Sequence, residues 1–225
     1  LPVAGSIFGS KTITIDTASP NLTQVTAITT PSNDTTPSYI FTTDEAGTIT
    51  TSISQNFSTS LSASTGSDQT ITFNTLPEGT YSGETITVTD TAGNPGSITI
   101  PDFVIDTAAP TVSSFTLSDS ALKSGETATV TIEFSEAVTG FASDDVTASN
   151  GSLSTMTSSD NITWTGTYTP TAGIEDDSNV LTLATSYTDT VGNAGPSATT
   201  ANFTIDTAAP TLSEDTVVST PSNDT

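Results

Sequence analysis

Hydrophobic residues in this chain come in short alternating runs. Val130, Ile132 and Phe134 take turns with Thr131, Glu133 and Ser135, a period of two that turns one set inward and the other to water. Ile162, Trp164, Gly166 and Tyr168 alternate with threonines in the same way, which assigns the only tryptophan to a core. In the first half of the chain such runs, bounded by Gly, Pro, Asn and Asp, predict seven strands. They lie at Leu22–Ile28, Ser38–Thr42, Thr48–Ser54, Phe57–Ala63, Gln69–Asn74, Thr80–Thr89 and Ser97–Ile105. In the second half Ser158-Ser159-Asp160-Asn161 reads as a hairpin turn between Ser152–Thr157 and the Trp164 strand. Further strands fit Asp145–Ser149, Val180–Ser186 and Ala198–Ile205. No segment carries a helical period with capping residues, so the class is all-β.

A repeat divides these strands into modules. Ile105-Asp106-Thr107-Ala108-Ala109-Pro110 returns as Ile205-Asp206-Thr207-Ala208-Ala209-Pro210, and with one change it appears earlier as Ile15-Asp16-Thr17-Ala18-Ser19-Pro20. The three aspartates stand 90 and 100 residues apart, the length of one immunoglobulin-like sandwich. A second motif precedes the later copies, as Asp90-Thr91-Ala92-Gly93-Asn94 and Asp189-Thr190-Val191-Gly192-Asn193. The expected architecture is tandem immunoglobulin-like β-sandwiches of about seven strands each: module one over 16–105 and module two over 106–205. Residues 1–15 would hold the last strand of a preceding module, Lys11–Ile15, and 206–225 would open the next. Both 30–35 and 220–225 read Thr-Pro-Ser-Asn-Asp-Thr, which predicts a repeating parent of greater length. The proline four residues after each aspartate fixes φ and removes a donor, so each junction reads as stiff. Leu76-Pro77-Glu78-Gly79-Thr80-Tyr81 predicts a corner in which the Tyr81 hydroxyl bonds back to the backbone.

Charge narrows the partners. Two Lys plus Arg face 25 Asp plus Glu, for a net charge of −23. Such a polyanion excludes nucleic acid and an anionic membrane surface, and makes a divalent cation the first partner to consider. There is no cysteine and no histidine, so no disulfide framework, serine triad or Cys–His pair is available. No apolar run is long enough to span a membrane, and direct membrane insertion is not expected.

Three stretches resemble the bacterial Ig-like tandem repeats of giant cell-surface adhesins: Leu122–Thr131, Phe134–Phe141 and Tyr187–Asn193. Module one, with Thr30–Ser38 and the Leu76–Tyr81 corner, looks like a second subtype. The resemblance implies extension modules that hold a terminal binding domain away from the cell, often with calcium at the module junctions. It implies an extracellular, cell-surface location and no enzymatic activity.

The acidic residues fit that implication. In such a sandwich the loops at one pole surround the arriving chain, and those at the other surround the departing chain. Folded that way, Asp34 and Glu78 approach Asp106 from module one, and Glu136, Asp144, Asp145 and Asp189 approach it from module two. Asp16 gathers Asp44, Glu45 and Asp90, and Asp206 gathers Asp119, Glu175, Asp176 and Asp177. Converging carboxylates without Lys or Arg repel one another. A hard cation with six to eight oxygen ligands relieves that, and Ca²⁺ is the expected cofactor. The competing reading is that these are solvated turn formers.

Other motifs carry less. Asp-Thr-Ala resembles the catalytic triplet of aspartic proteases, but that chemistry needs two carboxylates sharing one proton, and these copies lie a module apart. Lys123 is expected in an exposed loop, a poor place for an isopeptide bond. Threonine runs such as Thr12–Thr14 and Thr85–Thr89 read as ordinary exposed strand positions. Sequons fall at Asn21, Asn33, Asn56, Asn150, Asn161, Asn202 and Asn223. The leading function is a stalk or spacer whose partners are neighbouring Ig-like modules of the same chain. The alternatives are a glycan- or protein-binding module and a fibre subunit pairing with neighbouring chains through Lys11–Ile15. A sugar site would need an exposed aromatic, and only Tyr187 is expected beside a loop.

Overall fold

A computed structural model describes residues 14–53, 57 and 62–213. Most of the expected strand Lys11–Ile15, most of the one over Phe57–Ala63, the sequons at Asn56 and Asn223, and residues 214–225 lie outside them. The chain divides into two compact units, Leu1–Thr107 and Ala108–Thr225, two residues from the boundary that the repeat predicts. Among the described residues there is no helix long and apolar enough to cross a membrane.

The described residues of unit one form nine short strands. They are β1 (Leu22–Thr26), β2 (Ser38–Thr43), β3 (Gly47–Thr51), β4 (Ser62–Ala63), β5 (Gln69–Thr72), β6 (Gly79–Tyr81), β7 (Thr85–Asp90), β8 (Pro95–Thr99) and β9 (Phe103–Ile105). They hydrogen-bond in the orders β1-β2-β5, β4-β3-β7-β8 and β6-β9. The predicted single strand Thr80–Thr89 is two. Residues 79–81 pair with β9, whereas 85–90 pair with β3 and β8. Gly83, at φ +70°, lets the chain turn between the two pairings at no Cβ cost. Tyr39, Phe41, Ile71, Phe73, Ile86, Val88, Phe103 and Ile105 fill the core from alternating positions, each worth about 1.5–3 kcal/mol of burial. Tyr81 stacks on Phe103 at 4.8 Å and donates its hydroxyl to Pro77 O at 2.9 Å, as the corner motif predicts.

The described residues of unit two form twelve strands. The first six are β10 (Val112–Leu117), β11 (Ala121–Lys123), β12 (Ala128–Phe134), β13 (Val138–Thr139), β14 (Val146–Ala148) and β15 (Gly151–Leu153). Then come β16 (Thr163–Pro170), β17 (Glu175–Asn179), β18 (Leu181–Leu183), β19 (Thr188–Asp189), β20 (Ala198–Thr199) and β21 (Phe203–Asp206). Their orders are β10-β12-β16-β15, β11-β21-β17, β13-β19 and β14-β18-β20. Lys123 therefore ends a strand and is not in a loop, though it is exposed. Glu175, Asp176 and Asp177 also belong to a strand, β17.

The β12 and β16 alternations hold residue for residue, with Val130, Ile132, Phe134 and Tyr168 buried. Trp164 is half-buried, packed edge-on against Phe141 at 4.9 Å. Its indole N–H is closed off from water, with no partner among the described residues. Tyr187 departs from expectation: it is fully buried, at 0% exposure, against Phe134 at 4.9 Å. Its hydroxyl reaches Pro196 O at 2.7 Å. A Cβ at Gly195 would lie 2.0 Å from its ring, so only glycine lets the following loop close over it.

Candidate metal centre

Each unit places an aspartate at the head of its Asp-Thr-x-Gly-Asn loop, and that loop grips the chain leading into the unit. In unit one, Asp90 Oδ1 accepts the amides of Gly93 (2.6 Å) and Asn94 (2.8 Å), and Oδ2 accepts Asn94 Nδ2 (2.9 Å). The same Asn94 amide also donates to Asp16 O at 3.2 Å. The segment behind Asp16 is pinned further along. Asp44 Oδ1 accepts the Asn21 amide at 2.6 Å. Pro20 lies so close over Gly96 that a Cβ there would come within 1.7 Å of its carbonyl oxygen.

The side chains gathered here are Asp16, Glu45 and Asp90, which each offer a carboxylate oxygen within 4.8 Å of the others. Asp16 receives the Ala18 amide at 3.1 Å. Asp90 is held below the usual carboxylate range, first by the Asn94 side chain and then by the backbone amides it accepts, against the opposing effect of burial. Glu45 moves the other way: burial, then Asp16, Asp90 and Asp44, push its carboxyl up. The residue is only partly buried, but its Oε2 is sealed from water and has no hydrogen-bond partner among the described residues. The described part of unit one contains no Lys or Arg to neutralise these charges.

Unit two repeats the loop with a deeper aspartate. Asp189 is 1% exposed. Its Oδ1 accepts the amides of Val191 (2.8 Å), Gly192 (2.7 Å) and Asn193 (2.9 Å), and Oδ2 accepts Asn193 Nδ2 (2.8 Å). Burial, the largest influence, raises its affinity for a proton, but the hydrogen bonds from Asn193, Val191 and Gly192 together outweigh it and leave the carboxyl lowered. Asn193 Nδ2 also donates to Ala108 O at 3.0 Å, as Asn94 does to Asp16. Glu136 brings a carboxylate oxygen within 4.8 Å of one on Asp189.

Of the other predicted ligands, Asp34, Glu78, Asp144, Asp145 and Asp206 are not among the grouped carboxylates. Asp34 accepts the amide and hydroxyl of Thr36 (2.8 and 3.1 Å) in a local turn. Glu78 takes the Thr107 hydroxyl at 3.0 Å. Asp144 and Asp145 sit in a 3₁₀ turn at Ser143–Asp145, where Asp145 accepts the Ala142 amide and the Ser186 hydroxyl. Asp206 ends β21, in register with Lys123 and Glu175. Asp106 follows β9 at the end of unit one and donates its amide to Ser32 O at 2.9 Å. The residues whose part was not foreseen are Asn94 and Asn193. Their recurrence in the loop motif was visible, but the carbonyl each one holds lies 78 or 85 residues away in the chain.

Residues 106–205 match a family model described as a bacterial Ig-like domain. Among solved structures the chain is similar to the crystal structure of invasin, a bacterial integrin-binding protein, at 15% identity and a TM-score of 0.31. That similarity covers 84% of this chain and 40% of invasin, so the chain spans well under half of that relative's length. Comparison with curated proteins gives no match.

Proposed function

From the match of residues 106–205 to a bacterial Ig-like domain, we propose that this chain is a non-enzymatic spacer segment of an extracellular bacterial surface adhesin or filament, stiffened by Ca²⁺. Its partners are then the neighbouring modules of the same chain. The observation that carries the cation reading is the Glu45 oxygen, sealed and unbonded beside Asp16 and Asp90. A buried anionic oxygen without a donor is costly, and three carboxylates are the hard donor set that Ca²⁺ selects, with water completing its shell. Asp16 lies on the incoming segment, whereas Glu45 lies on a loop of the sandwich and Asp90 at the end of β7. An ion shared by them ties the segment to the module and limits how the chain can swing as it enters. In unit two Glu136 and Asp189 supply the corresponding loop carboxylates, and Asp106 is the sequence counterpart of Asp16.

Support for the spacer over a glycan-binding module comes from the aromatics. Among the described residues every Phe, Tyr and Trp is buried or half-buried, Tyr187 included, which leaves no exposed platform for a sugar.

The test is calorimetry of the whole chain in Ca²⁺ and in chelator. Unit one should gain about 1.4 kcal/mol when Ca²⁺ exceeds its Kd roughly tenfold, and Glu45→Gln should remove most of that gain. An unchanged unit-one transition at millimolar Ca²⁺ would overturn the cation reading.

A further inference from the structure

The chain holds a single Asn-Gly pair, Asn150-Gly151, and the fold of unit two requires both residues. Asn150 turns the backbone at φ +56°, a left-handed conformation that Asn adopts more readily than most residues with a side chain. Gly151 follows because Tyr168 lies over it: a Cβ there would come within 2.5 Å of the ring and its hydroxyl. Tyr168 is itself fixed, its hydroxyl donating to Ser149 O at 2.7 Å. The Asn150 side chain is held just as firmly. Its Nδ2 donates to Asp176 Oδ2 and to Asn179 Oδ1, both at 2.8 Å. Asn179, 2% exposed, directs its own Nδ2 to Asp176 O (2.9 Å) and Phe203 O (3.3 Å). The Asn150 amide thus ties the turn before β15 to β17, and through Asn179 to β21.

An Asn-Gly pair carries the means of its own reaction. Glycine leaves the following nitrogen unshielded and lets the backbone bend toward the side chain. Here the ladder between β15 and β16 leaves that nitrogen out as well. Thr171 N donates to Asn150 O at 2.8 Å and Ser154 N to Thr167 O at 2.9 Å, an alternation that turns the Gly151 N–H away from β16. We propose that Asn150 is a latent deamidation site, kept unreactive by the grip of Asp176 and Asn179 on its side-chain amide. When that grip opens, Gly151 N bonds to Asn150 Cγ, the Cγ–Nδ2 bond breaks, and the Gly151 proton departs with Nδ2 as ammonia. Water then opens the resulting succinimide at either carbonyl, restores the Gly151 N–H and leaves aspartate or isoaspartate. Nothing is oxidised or reduced. The old site cannot take the product back. Where the amide gave two protons, a carboxylate faces the Asp176 carboxylate and Asn179 Oδ1, three acceptors with no donor among them. Conversion of one amide therefore unlatches β17 and leaves a permanent mark on a module that has opened.

The latch depends on neither the spacer role nor the cation, so it is tested on the whole chain in chelator. The chain is incubated at mildly alkaline pH, where the Gly151 proton is lost more easily, and residue 150 is followed by mass spectrometry of proteolytic peptides. Folded wild type should convert at least about tenfold more slowly than the same chain in urea, a factor set by how rarely the loop opens. That comparison needs no variant. Asp176→Ala removes one acceptor and should raise the folded rate severalfold toward the urea value, with Trp164 fluorescence checking that unit two is folded during the incubation. Asn150→Asp places the product carboxylate directly. It should melt unit two roughly 4 °C below Asn150→Gly, which keeps the turn and adds no charge. Equal conversion in buffer and in urea would overturn the latch, and so would a folded Asp176→Ala that converts no faster than wild type. An Asn150→Asp melt no lower than that of Asn150→Gly would overturn its effect on β17.

Discussion

The loops Asp90–Asn94 and Asp189–Asn193 share four of five residues and the same Asp–Asn hydrogen bond, but differ in how completely they satisfy their charge. Asp189 is almost wholly buried, and three backbone amides converge on one of its oxygens. Asp90 is half-buried, takes two such amides at the equivalent oxygen with a weaker third from Ala92, and sits beside a Glu45 oxygen that has no partner among the described residues. One motif thus serves two purposes. In unit two the aspartate is chiefly an acceptor that closes a loop; in unit one the same loop stands beside a carboxylate oxygen that has no donor among the described residues.

The largest expected effect is on unit two. Asp189→Ala strips the acceptor from three backbone amides and the Asn193 side chain, and should cost about 3 kcal/mol, since charge-assisted bonds to buried groups are expensive to lose. Trp164, present in unit two alone, reports that loss by fluorescence. Asp90→Ala should lower the unit-one transition by less. Equal losses in the two units would erase the distinction drawn between the loops.

A smaller effect is expected from the asparagines. Asn193→Ala should cost about 1–2 kcal/mol, because buried Asp189 loses a donor and Ala108 O its partner. Asn94→Ala should cost less in stability but weaken Ca²⁺ binding severalfold, because Asp16 is no longer held at the loop. Titration calorimetry of Asn94→Ala checks this, and unchanged affinity would show that Asn94 does not position Asp16.

How much of this could be read in the residues depends on the range of the interaction. The β12 and β16 faces were legible because alternation is local, and so was the Tyr81 corner, whose bond spans four residues. Strands β10 and β11 were not, because Val112–Leu117 and Ala121–Lys123 are rich in Ser and Thr or very short, and what makes them strands is pairing with β12 and β21. The burial of Tyr187, which does lie beside a loop, was not legible for a similar reason: its neighbours in sequence are polar, and its burial is set by Phe134, Phe141 and the close approach of Gly195. The gathering of Asp16 with Glu45 and Asp90 followed from loop positions in the sandwich. The sealed oxygen of Glu45 depends on packing and has no signature in sequence.

The smallest effect, and the sharpest in sign, is the response to acid without Ca²⁺. Glu45 has a folded pKa raised above its unfolded value by burial and by Asp16, Asp90 and Asp44. Its contribution to stability is therefore present in full below the unfolded value and is lost as pH rises through the raised folded value. Asp90 and Asp189 are depressed by the hydrogen bonds they accept, so their contributions are present above the unfolded value and are lost as pH falls through the lower folded ones. Unit one should consequently gain stability as pH drops from neutral through the Glu45 range, pass a maximum in mild acid, and fall only when Asp90 takes a proton. In unit two Asp189 contributes only a decline on acidification. Melting curves of both units from pH 7 to pH 3 in chelator test this, and Ca²⁺ should flatten the rise in unit one because the ion and the proton relieve the same charge. A unit-one transition that declines steadily from neutral pH would mean that the Glu45 oxygen carries no electrostatic burden, and the contrast between the two loops would then rest on Asp189 alone.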